Sequence, residues 1–142
     1  MADSPARLKL TLLPDPLAVC RLDARAEVPA WAFATPGGLV SITRTGDEIS
    51  VVCPLDRVPV GARCERPWRC LAVAGPLDFA LVGILASLAV PLAGAGVSIF
   101  ALSTFDTDYL LVYESDLGRA IIALEAAGHR VVAAAETRES PG

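Results

Sequence analysis

Five oxygen-bearing side chains crowd into six residues: Ser103, Thr104, Asp106, Thr107 and Asp108. A carboxylate flanked by hydroxyls is the chemistry that receives an ammonium group. An α-amino acid presents that ammonium together with a carboxylate, so a site for it must meet both poles. Asp108 is the first choice for the ammonium, with Ser98, Ser103, Thr104 and Thr107 adding hydroxyl contacts. The carboxylate calls for backbone N–H donors or the positive end of a helix. The run Ala74-Gly75-Pro76-Leu77-Asp78-Phe79 offers both. Gly75 lets the backbone approach closely, and Leu77, Asp78 and Phe79 open a helix. Each residue also has a plainer reading. Asp78 is a good N-cap, Ser103 and Thr104 suit a turn, and Asp106 is a solvated turn residue.

Other chemistries find little support. The chain of 142 residues has one histidine, His129, and four cysteines, Cys20, Cys53, Cys64 and Cys70. No C-x-x-C pair or set of four zinc ligands is evident, so no metal is expected. There is no evident nucleophile–base pair and no Gly-rich phosphate loop, so no catalytic residue, cofactor or enzyme activity is expected. His129 sits near the end of a helical stretch, where a cation is mildly favoured. The cysteines read as reduced, mostly buried thiols of a cytoplasmic protein, with a Cys64–Cys70 disulfide as the less favoured alternative. A net charge of −4 gives no basic footprint for nucleic acid.

From Phe79 to Phe105 there are 27 residues without a charge, more than the roughly 20 that span a bilayer. Pro91, Gly94 and Gly96 interrupt the run. Its first part has helical spacing and its second part is rich in strand formers. It reads as a buried helix followed by a buried strand, not a membrane span.

The acidic turn recurs. Shifted by sixty positions without a gap, Thr45 to Val52 falls on Phe105 to Val112. That register makes Glu48 the counterpart of Asp108 and a second candidate for the ligand's ammonium. Two related small units are therefore expected: 1–62, 63–135, and a disordered tail over 136–142.

In the second unit, Trp68–Ala74 reads as a strand. A helix follows from Asp78 with a stripe of Leu81, Leu85, Leu88 and Leu92, and Ile84 beside it. Next come strands over Val97–Ser103 and Asp108–Tyr113, a helix capped by Ser115, and a strand over His129–Val132. This β-α-β-β-α-β order is the α+β, ferredoxin-like unit. The first unit has similar strands but no room for two full helices. Trp31, Trp68 and Phe105 read as core or interface anchors. The sheet face without helices is expected to pack against the first unit or another subunit.

The stretch Gly75 to Val112, above all STFDTDYLLV, resembles the ACT domains of the group that includes the eukaryotic cytosolic arginine sensor and many small bacterial proteins. Glu48 to Pro54 resembles the first half of the bacterial members. The resemblance implies tandem ACT units and an amino acid or similar small metabolite as ligand. It implies contacts from the loop before the first helix, from Ser98–Ile99 and from Thr104–Asp108. A regulated protein partner or homo-oligomer is expected to carry the output. The competing reading is a structural adaptor that uses the same fold for protein–protein association.

Overall fold

The protein is described by a computed structural model covering residues 7–33, 38–74 and 83–134. It divides into two units. Asp15–Trp68 forms one, and Met1–Pro14 with Arg69–Gly142 forms the other. In sequence, the first is an insertion within the second.

The inserted unit is built on β2 (Leu17–Asp23). It pairs antiparallel with β4 (Glu48–Pro54) on one side and with the first half of β5 (Cys64–Val73) on the other. β3 (Ser41–Arg44) closes a hairpin onto β4. Single 3-10 turns at Ala30–Phe33 and Leu55–Arg57 stand where longer helices would be. No α-helix occurs in this unit among the described residues, matching its expected poverty in helix. Its core is Ala18, Cys20, Ala32, Ile49, Val51 and Cys53, with Trp31 packed against it.

The flanking unit runs β5, α1 (Ile84–Gly94), β6 (Ile99–Ser103), β7 (Asp108–Tyr113), α2 (Leu117–Ala126) and β8 (Arg130–Ala133). This is the expected ferredoxin-like order. β5 and β6 flank β7. One strand of this unit comes from the first 62 residues, expected to form the other unit. β1 (Lys9–Leu12) pairs antiparallel with β5 and parallel with β8. It thus lies between two strands that would otherwise be neighbours. Leu10 faces the core with Leu71, Val73, Leu110 and Val112, under Leu88 and Leu92 of α1 and Ala120 and Leu124 of α2.

The helix starts differ from expectation. α1 opens at Ile84 after Gly83, without a side-chain cap. Its buried stripe is Ile84, Leu88 and Leu92, while Leu85 is exposed. The proposed stripe was thus one residue out at its second position, because Leu85 lies one position past Ile84 on the helix. α2 has no side-chain cap from its N-cap residue, Asp116. Ser115 sits instead within a 3-10 turn, Glu114–Asp116. Both helices end on glycines at positive φ, Gly96 at 75° and Gly128 at 101°. In each case the residue after the glycine donates back six-to-one, Val97 to Leu92 and His129 to Leu124. That cap consumes Val97, so β6 begins at Ile99.

The two hairpins share one turn, but not in the register the ungapped repeat gave. Thr45 N–H donates to the Glu48 carbonyl at 2.9 Å, and Thr104 N–H to the Thr107 carbonyl at 2.8 Å. Thr45 Oγ1 accepts from Glu48 N–H, and Thr104 Oγ1 from Thr107 N–H. Thr45 therefore matches Thr104, an offset of fifty-nine. Core-facing Val51 and Cys53 then match core-facing Leu110 and Val112. In this register Glu48 corresponds to Thr107, and Ile49 to Asp108.

Candidate functional site

β5 leaves the sheet at one end of the flanking unit, beside the β6–β7 turn. Thr107 is the fastening. Thr107 is 9% exposed, and its hydroxyl donates to the Val73 carbonyl at 2.7 Å. Ala74 N–H donates to the Lys9 carbonyl. The position at which the chain departs toward α1 is thus fixed against the turn. Gly75, Leu77, Asp78 and Phe79, the expected carboxylate site, lie outside the described residues, as does Leu81 of the proposed helical stripe.

Asp108 faces Ser103 across the hairpin, and Ser103 Oγ donates to Asp108 Oδ1 at 2.7 Å. A hydroxyl donor to one carboxylate oxygen orients the group. Asp108 is half-buried and Ser103 exposed, so the pair is accessible at the surface. Thr104 Oγ1 also donates to the Thr107 carbonyl, at 3.1 Å. Thr104 thus holds the turn backbone, whereas Ser103 bonds Asp108. Ser103, Thr104, Thr107 and Asp108 are gathered together, with Thr107 turned inward as a structural tie.

Two other candidates stand apart from this cluster. Ser98 and Ile99 are at the opposite end of β6, where Ile99 opposes Val112. Four residues of strand, about 13 Å, separate Ile99 from Ser103. Glu48 belongs to the inserted unit, where its carboxylate lies 3.8 Å from Arg21 Nε. Phe105, expected as an anchor, is 82% exposed at the turn tip.

The sequence places His129 near a helix end, where positive charge on its ring is mildly favoured. The residue is 4% exposed and neutral by its bonding. Leu8 N–H donates to its Nδ1 at 3.1 Å, so that nitrogen carries no proton. Nε2 lies 2.9 Å from the Ser87 carbonyl, which only accepts, so Nε2 carries the proton. The ring joins the start of β1 to the first turn of α1, at the same end of the unit as the Asp108 turn. Pro91 inside a helix was the signal that such a donor would be needed.

No group of three or more potential metal ligands occurs among the described residues. No described helix is long and apolar enough to cross a membrane.

The sequence profile of the ACT domain matches residues 63–126, and that of a separate N-terminal domain matches 15–61. The mouse protein named cytosolic arginine sensor for mTORC1 subunit 1 is 35% identical over 99 residues, covering 69% of this chain and 29% of its own length. The human counterpart is 34% identical over 101 residues. The chain spans about three tenths of the length of these relatives. The crystal structure of protein Atu0741 from Agobacterium tumefaciens superposes with a TM-score of 0.85 at 41% identity, over 95% of this chain and 99% of that one. The regulatory subunit of aspartate kinase from Thermus flavus shares the fold, with a TM-score of 0.56 at 11% identity over 88% of this chain and 99% of its own. With the ACT profile matching residues 63–126 and a ferredoxin-like order of elements in the flanking unit, the chain carries an ACT domain.

Proposed function

We propose that this protein is a regulatory module without catalytic activity that binds an amino acid at the Asp108 end of the flanking unit. The observation that carries this reading is the Ser103–Asp108 pair, an accessible carboxylate oriented by a hydroxyl beside the chain leading into α1. Asp108 receives the ligand's ammonium. The backbone after Ala74 receives its carboxylate, with Gly75, Leu77, Asp78 and Phe79 as the contacts. Ser98, Ile99 and Glu48 are not needed for this contact set.

The relatives named as arginine sensors make arginine the first ligand to try. Binding passes to a regulated protein partner or to self-association. Thermal denaturation of the purified protein against the twenty amino acids tests the reading. A ligand at a hundred times its dissociation constant adds about 2.7 kcal/mol, which raises Tm by several degrees. No rise with any amino acid, in protein freed of bound ligand by refolding, overturns it.

A further inference from the structure

Three thiols share one sheet face of the inserted unit. Cys20 and Cys53 are in its core, and Cys64 packs against them. None of the chain's four cysteines is in a disulfide. Cys20 of β2 lies directly opposite Cys64 of β5 in an antiparallel pairing. The neighbouring pair, Arg21 and Arg63, is a hydrogen-bonded one, since Arg21 N–H donates to the Arg63 carbonyl at 3.0 Å. Hydrogen-bonded and non-hydrogen-bonded pairs alternate, so Cys20 and Cys64 occupy a non-hydrogen-bonded position. There the Cα atoms are about 4.5 Å apart and the side chains lie closest, on the same face. A disulfide bridges Cα separations of about 4.4–6.8 Å.

Cys53 is placed less well. It opposes Ala18 and is diagonal to Cys20, a relation of about 7–8 Å. Burial also pushes its thiol above the ordinary range. Cys20 is 2% exposed and Cys53 fully buried, whereas Cys64 is half-buried. A small oxidant therefore reaches Cys64 first.

We propose that Cys64 and Cys20 form a thiol-oxidation site, which a hydroperoxide converts into a cross-strand disulfide. The Cys64 thiol gives up its proton and its sulfur attacks the peroxide; the O–O bond breaks, the leaving hydroxide takes up that proton, and Cys64 becomes a sulfenic acid as one water leaves. Cys20 then attacks Cys64 Sγ. The S–O bond breaks, and the departing hydroxide takes the Cys20 proton to leave as a second water. Two thiols lose two electrons, and hydrogen peroxide takes them. The bridge closes the loop that carries β3 and β4 and so restricts the unfolded chain. The site shares no residue with the proposed amino-acid contacts.

The sequence makes the test unambiguous. Trypsin leaves Cys20 on residues 10–21, Cys53 on 45–57, Cys64 on 64–69 and Cys70 on 70–119. The full chain is treated with hydrogen peroxide, alkylated under denaturing conditions and mapped without reduction. The expected result is a loss of about 2 Da and a linked pair of the 10–21 and 64–69 peptides, reversed by dithiothreitol. Tm of the oxidised chain rises by several degrees. Cys64→Ser, shown folded by its unoxidised melt, forms no link to Cys20. A link through Cys53 or Cys70, or Cys64 carried to sulfinic acid with Cys20 still alkylatable, overturns the proposal. So does a chain that stays reduced while its denatured form oxidises.

Discussion

His129 Nε2–H donates at 2.9 Å to the Ser87 carbonyl, the acceptor that Pro91, four residues further along α1, cannot serve. Proline lacks an N–H, and inside a helix it strands the carbonyl of the preceding turn. Here α1 keeps Pro91 because a side chain from beyond α2 supplies the missing donor. The same ring accepts from Leu8, so one imidazole satisfies two backbone groups that would otherwise be orphaned.

The exchange can be read in stability. His129→Ala should cost about 2–4 kcal/mol, since each buried backbone group left without a partner costs about 1–3 kcal/mol. Pro91→Ala restores an N–H to Ser87. In the His129→Ala background it should therefore recover about 1 kcal/mol or more, a gain it should not give in the native chain. Urea denaturation of the four proteins closes the cycle, and equal effects of Pro91→Ala in both backgrounds would remove the link.

Two side chains at the candidate site, the Thr107 hydroxyl and the Asp108 carboxylate, should behave oppositely. Thr107→Val leaves the Val73 carbonyl unserved and should lower stability by about 1–3 kcal/mol, with Thr107→Ser retaining most of it. Asp108→Ala removes a surface acceptor and should change stability by less than about 0.5 kcal/mol. It should nevertheless abolish amino-acid binding, having lost a charge-assisted contact worth about 1.5–3 kcal/mol. Denaturation and calorimetry on both variants separate the roles, and unchanged affinity for Asp108→Ala would take it out of the site.

Leu88 has no exposed surface and packs in the core of the flanking unit. Leu88→Ala should cost about 2–5 kcal/mol as a cavity, whereas Leu85→Ala, on the exposed side of the same helix, should cost less than about 1 kcal/mol. Paired urea melts test the corrected stripe, and a larger loss at Leu85 would reinstate the original one.

Alkaline stability should bear the mark of Cys70. Burial pushes its thiol from 9.0 up to about 12. Below 9 the thiol is protonated in both states and adds no pH dependence. From 9 to about 12 the unfolded chain releases a proton that the folded chain retains, so stability falls as pH rises. The slope from this one group is at most about 1 kcal/mol per pH unit. Cys70→Ala should flatten the stability profile between those limits relative to the native chain, after allowance for its cavity. Parallel slopes would show that Cys70 ionises freely.

The flanking unit was largely legible in the sequence because its signals are local. The hairpin over Ile99–Tyr113 announces itself by a polar turn between apolar runs, and the helices by their spacing and their closing glycines. Long-range pairing was not legible. Nothing in Lys9–Leu12 states that its partners are β5 and β8, so the strand was assigned to its neighbours in sequence. The repeat was visible, but its register was not. An apolar strand aligns almost equally well one residue out, and only the threonine-to-carbonyl bonds of the two turns decide that Glu48 answers to Thr107. At the candidate site, side-chain types pointed to Asp108 and Ser103 as chemistry. That Thr107 turns inward depends on the position of Val73, which lies thirty-four residues earlier.

Placing β1 between β5 and β8 also sets an order of events during synthesis. Residues 15–68 carry all the partners their unit requires and can close as soon as they have emerged. β1 emerges before them and must stay unpaired until β5 appears, and its second edge must wait for β8. The Leu8 N–H meets its His129 acceptor across 121 positions of chain. At translation rates of about 5–20 residues per second, that is roughly six to twenty-four seconds before both edges of an apolar strand are covered. The nascent chain is most open to chaperones, or to pairing with a second nascent copy, during that interval.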